Sequence, residues 1–273
     1  MKKKTLISGI IGLLATVTFI SGCGNSSDEA KEIRVGTSPG PYSELFLEGI
    51  KPILEEEGYT VTETTFDALL QADVALNDGD VDVNVDQHTA YLENFNENSD
   101  ANLVGLVSIP TVPAGIFGGR KDQLEDIKKG DTIAIPVDAS NTARALLLLE
   151  KAGWIKLDPD VEPIAATSSN IAENPLELNV VEMDSAQIPR SLEDIDYGVI
   201  PGSIVYSADI PAEDSLLSED ILKEYELVVT VDKKNADAKW AQAIVDAYKS
   251  DTFAKFLEKE NTNNYWFIPE DLK

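Results

Sequence analysis

The sequence predicts an α/β protein of two lobes, on three observations. Short runs alternate apolar and polar residues as strands do, and the segments between them space their apolar residues as helices do. Strand and helix follow each other in turn, the order expected of a mainly parallel sheet with helices on both faces. Pro110 and Pro113 then punctuate the chain, and a second set of such elements begins.

The first set opens with a strand at 32–36. A helix over 43–57 follows, repeating Phe46, Ile50, Ile53 and Leu54 before Gly58, with Pro52 predicting a kink or a late start. Strands at 59–66, 81–85 and 103–109 enclose helices at 67–77 and 89–98. The second set has strands at 114–117, 132–137, 178–183 and 196–200, a helix at 140–152 closed by Gly153, and another from about residue 185 to 192. After Pro201-Gly202 come a strand at 225–231 and helices at 236–249 and 252–259. This ordering places residues 32–110 and 203–273 in one lobe and 111–202 in the other. Trp154, Trp240 and Trp266 are expected as packing residues.

The N-terminus begins Met1-Lys2-Lys3-Lys4, continues with an apolar run from Leu6 to Ile20 and breaks at Ser21-Gly22-Cys23. A charged start, a short apolar core and small residues before the break are the parts of a secretory signal. The core is too short for a membrane span, which takes about 20 residues. Cys23, the only cysteine, directly follows Ser21-Gly22, so the segment resembles a bacterial lipobox whose thiol is acylated. Residues 1–22 read as the signal peptide and 23–31, small and polar, as a flexible tether. The resemblance implies anchoring at the extracytoplasmic face of the cell membrane through lipid on Cys23. Beyond residue 22 the chain carries 19 basic and 49 acidic residues, a formal charge of −30. That excludes nucleic acid as the natural partner.

Two segments carry candidate site chemistry. His88, the single histidine, stands between the third strand and the helix that follows it; strand ends are where α/β proteins hold ligands, and a helix cap on the surface is the plainer reading. Arg144 follows the strand at 132–137, within the first turn of its helix, where Ser140 or Asn141 is the expected N-cap. A cation at a helix N-terminus opposes the dipole. Either a surface salt bridge answers it, or Arg144 and free backbone N–H groups form a carboxylate site. Asp78-Gly79-Asp80 reads as a turn, since no glutamate arrives at calcium-loop spacing, and no metal or cofactor is expected. Catalysis is poorly provided for: no Gly-x-Ser-x-Gly presents a nucleophile, and the one thiol belongs to the lipobox.

Several ordered segments together resemble the NlpA family of methionine-binding lipoproteins. They include Ala75-Leu76-Asn77-Asp78-Gly79-Asp80, Gln87-His88 with Tyr91-Leu92, Ala134-Ile135-Pro136, Asn141 with Arg144-Ala145-Leu146, Glu173-Asn174-Pro175 and Pro189-Arg190-Ser191-Leu192. The resemblance implies a type II-like periplasmic-binding-protein fold, with a cleft between the lobes that closes on one amino acid. It implies a monomer that hands this ligand to an ABC permease and ATPase. It further implies ligand contacts at His88, Tyr91, Asn141 and Arg144.

The departures concern the ligand's side chain. An aromatic pair common in the family is Val85-Asp86 here, a tyrosine of the preceding helix is Leu69, and an Asn-Gly-Asn-like loop is Pro201-Gly202-Ser203. A buried carboxylate at Asp86 must point to solvent, pair within the protein or meet a donor on the ligand. Methionine or a related compound is the expected ligand, with a polar or cationic amino acid or a short peptide as the alternative. A surface hydrolase using paired carboxylates is the remote one.

Overall fold

The computed structural model describes residues 32–261 and 265–273. The signal peptide, the tether and Cys23 lie outside them. Along the chain run β1 (Glu32–Thr37), α1 (Pro41–Leu45), α2 (Lys51–Glu56), β2 (Thr60–Thr65), α3 (Leu69–Asp78), β3 (Val83–His88), α4 (Thr89–Ser99) and β4 (Leu103–Ile109). Next come β5 (Gly115–Gly118), β6 (Thr132–Pro136), α5 (Ala139–Lys151), a small antiparallel pair of β7 (Lys156–Leu157) and β8 (Ile171–Glu173), then β9 (Asn179–Met183), α6 (Ile188–Ser191) and β10 (Tyr197–Ile200). The chain finishes with α7 (Gly202–Ser207), β11 (Ser215–Ser218), β12 (Leu227–Asp232), α8 (Lys239–Tyr248) and α9 (Asp251–Glu260).

Two five-stranded sheets form the two lobes, in orders β2-β1-β3-β12-β4 and β11-β5-β10-β6-β9. The expected parallel pairing holds for β1 with β2 and β3, and for β6 with β9 and β10. It fails at β12, which returns from the second lobe and inserts antiparallel between β3 and β4. In the second sheet β5 runs antiparallel to β10, and β11 antiparallel to β5. Residues 215–218, grouped with the first lobe on sequence, thus pair into the second sheet.

Pro52 is accommodated differently from either sequence expectation. Helical backbone starts at Pro41 and includes a π-helical turn over Phe46–Ile50 just before the proline. Pro52 has no N–H to offer the preceding turn. The wider turn lets the Lys51 N–H reach Phe46 O five residues back, so the chain enters α2 without a break.

Each lobe has its own apolar core. Ile33, Val35, Val83 and Val229 of the first sheet pack with Phe46, Ile50, Ile244 and Phe253 from the helices. In the second lobe Ile133, Ile135 and Val199 pack with Leu146, Leu149 and Trp154, whose ring lies 4.8 Å from that of Tyr197. All three tryptophans pack against these cores. Where the chain crosses between lobes, backbones approach closely: a Cβ on Gly202 would lie 2.6 Å from the Val112 side chain.

Candidate functional site between the lobes

A β-bulge shapes the site's first wall. Val228 faces Gln87 while Thr230 faces Asn84, so three steps along β3 match two along β12. A bulge changes which face the following side chains address. Within it, Val85 is fully buried in the first lobe's core. Beyond it, His88 ends β3 and becomes the N-cap of α4, its Nδ1 accepting from the Tyr91 N–H at 3.1 Å. With Nδ1 an acceptor, the ring proton resides on Nε2. That nitrogen faces Asn141 Oδ1 on α5 in the other lobe, 3.3 Å away. The helix cap expected on sequence is present, but the imidazole is buried, not on the surface, and it also meets the other lobe.

The second wall is the start of α5. Its N-cap is Asp138, upstream of the Ser140 and Asn141 expected there; the Asp138 carboxylate accepts from both the backbone N–H and the Nδ2 of Asn141, each at 3.0 Å. Those two bonds fix the Asn141 amide with its oxygen toward His88. Arg144 therefore lies beyond the first turn, and it is buried. Its Nε donates to Glu219 Oε2 at 2.8 Å and its Nη2 to Oε1, forming a two-pronged ion pair. The guanidinium carbon stands 5.2 Å from the centroid of the Tyr225 ring, which in turn meets the His88 ring edge-on at 5.3 Å. Glu219 also accepts from the Ala114 N–H at 2.7 Å, which ties this corner to the crossover segment.

Electrostatics here follow burial. Removal from water lowers the His88 pKa to about 3, with the nearby Arg144 charge adding to the effect and the Asn141 bond opposing it. The imidazole is neutral at physiological pH. Burial by itself would lower Arg144, but Glu219 more than reverses this and keeps the guanidinium charged.

Asp86 takes the second of its three sequence options, pairing within the protein. Ser38 donates to it through its N–H and its Oγ, both at 2.8 Å, and Ser43 Oγ donates at 2.7 Å. Burial raises its pKa, and these bonds from the loop after β1 and from α1 pull it back. Of the remaining predicted residues, Tyr91 sits beside His88 with ring centroids 6.2 Å apart. Ser203, on α7, lies beside Gly40, where an added Cβ would lie 3.6 Å from its own. Leu69 is half-buried at the start of α3. The structure thus gathers His88, Tyr91, Asn141 and Arg144 into one seam, whereas Val85 belongs to the core and Asp86 to a separate polar cage. Sequence reasoning missed Glu219, Tyr225 and Asp138; only Asp138, three residues before Asn141, carried a local signal as an N-cap.

The NlpA lipoprotein profile matches residues 33–269. The chain belongs to the NlpA lipoprotein family. Among this family protein's curated relatives, the D-methionine-binding lipoprotein MetQ of Salmonella typhi is 32% identical over 248 residues, 90% of each chain. Lipoprotein 28 of Escherichia coli is 31% identical over 256 residues, 93% of each. A solved nutrient binding protein from Burkholderia cenocepacia, bound to methionine, superposes with a TM-score of 0.80 at 33% identity, covering 86% of this chain and 99% of that one. The two-lobed substrate-binding architecture of this NlpA-family member is thereby shown. Among the described residues, no helix is long and apolar enough to cross a membrane.

Proposed function

We propose that this protein is a lipid-anchored, monomeric binding protein that closes on a free amino acid, methionine or a close relative, and delivers it to an ABC permease and ATPase. The observation that carries this reading is the His88–Asn141 bond across the lobes, flanked by Arg144 and Tyr225. Such a seam gives a ligand differential affinity for the closed state, the requirement for ligand-driven closure. Glu219 engages one edge of the Arg144 guanidinium; with five N–H donors, the group retains capacity for a ligand carboxylate. His88 and Tyr91 then border the ligand from the first lobe.

The cage around Asp86 bears on the ligand's side chain. Its charge is answered by Ser38 and Ser43, so no cation on the ligand is needed to stabilise it. This supports a methionine-type ligand. The second reading, a polar or cationic amino acid or a short peptide, draws on the missing rings at Leu69, Val85 and Asp86. Titrating lipid-free protein with L- and D-methionine and an amino-acid panel separates the two. Tight saturable methionine binding supports the first, and binding of only a charged ligand supports the second. Recovery of the ligand unchanged after denaturation supports transport over hydrolysis.

A further inference from the structure

Behind the seam, a second pair of side chains joins α3 to β3. Gln87 Nε2 donates to Asp73 Oδ1 at 2.6 Å, and both residues are essentially inaccessible to solvent. The other halves of the two groups, Asp73 Oδ2 and Gln87 Oε1, are also shut off from water and meet no donor among the described residues. Both atoms are acceptors. An ionised Asp73 would leave a charged oxygen and an amide oxygen unsatisfied in the interior, an arrangement folded proteins rarely tolerate.

One proton resolves both deficits. We propose that Asp73 is held as a neutral carboxylic acid whose Oδ2 proton is donated to Gln87 Oε1, and that this acid–amide pair is the positioning device for His88. Atoms balance without further reactants: the proton remains on Asp73, and each group donates once and accepts once. Its surroundings support the neutral form. Burial raises the Asp73 pKa to about 8, the Gln87 bond opposes this, and the Asp86 carboxylate on β3 raises it further. From α4, the Tyr91 hydroxyl is held protonated by burial, so it brings no charge to Asp73. The strands β1 and β12, also packed on α3, bring no charge that registers at Asp73 among the described residues.

The device acts through the backbone. Gln87 directly precedes His88, at the end of β3 just beyond the bulge, so clamping its amide to α3 fixes the place where the imidazole departs toward Asn141. This positioning role rests on the reading of His88 as part of the ligand seam; the protonation state does not.

The test compares wild type with Asp73→Asn, which keeps a carbonyl and supplies the second donor as an amide. A group whose folded pKa is raised from 3.8 to about 8 costs stability progressively between those values. Below about pH 4 the stability difference between wild type and variant should therefore hold constant in urea titrations. With rising pH, the wild-type folding constant should fall relative to the variant by up to about tenfold per unit, levelling near pH 8. Infrared spectra of the wild type at pH 7 should show a protonated-carboxyl stretch that the variant lacks. Parallel stability profiles, a missing infrared band, or a variant that fails to fold would each overturn the neutral pair. For positioning, wild-type methionine affinity should weaken above pH 8 while the variant's stays within about twofold; an unchanged wild-type profile overturns that role. If neither protein binds methionine, the ligand reading fails, yet the stability and infrared results still decide the pair.

Discussion

His88 of the first lobe and Asn141 of the second face each other across 3.3 Å, and both are oriented from behind. The Tyr91 N–H holds the His88 ring through Nδ1, and Asp138 holds the Asn141 amide through Nδ2. A contact prepared on both sides loses little side-chain entropy when the lobes meet. Its net worth is still that of one hydrogen bond, about 0.5–1.5 kcal/mol, suited to a cleft that must reopen.

Asn141→Ala removes this bond and leaves Asp138 free to cap the backbone. Ligand affinity should drop by roughly threefold to tenfold, with the thermal midpoint of the unliganded protein nearly unchanged. Calorimetric titration and thermal melts check the two halves separately.

Acid should unlatch the seam. The His88 pKa is lowered in the fold from 6.5 to about 3, so the unfolded or opened state binds a proton that the closed state refuses. The stabilisation is complete above pH 6.5 and is lost as pH falls toward 3. At pH 5 the loss is roughly 2 kcal/mol relative to pH 7. His88→Gln should flatten this acid limb in a pH series of stability and affinity.

The Arg144–Glu219 pair is buried, so breaking it strands a charge. Glu219→Ala should destabilise the second lobe by roughly 3–5 kcal/mol, seen in urea unfolding. Arg144→Ala and Glu219→Ala together should cost less than the sum of the single changes, because neither charge is then left alone.

Asp86 behaves as a structural anion. Asp86→Ala strips the Ser38 N–H and two hydroxyls of their acceptor and should cost roughly 2–4 kcal/mol, whereas Asp86→Asn should cost less because it keeps one acceptor oxygen. Denaturation midpoints of the two variants test the order.

Most of the element order was legible, because the period-two and helical patterns are local. Register and sheet order were not. Leu227–Asp232 reads as a strand anywhere, and only its return from the second lobe sets it antiparallel between β3 and β4. Likewise Ser215–Ser218 is too short for its pattern to reveal which sheet it joins. At the site, His88 and Arg144 stood out as a lone histidine and a misplaced cation. Glu219 was invisible: its partner is 75 residues away, among 49 acidic residues that look alike in sequence. Asp73 did leave a trace, since it interrupts the buried stripe of Ala72, Ala75 and Leu76 on α3.

The central claim is that the seam between the lobes binds an amino acid by its α-carboxylate. Calorimetric titration of lipid-free wild type and Arg144→Ala with methionine and an amino-acid panel tests it most directly. Saturable one-site binding to wild type, weakened at least a hundredfold in the variant, is the predicted result. Binding that survives in Arg144→Ala within twofold, or no binding of any amino acid to a folded wild type, would contradict it.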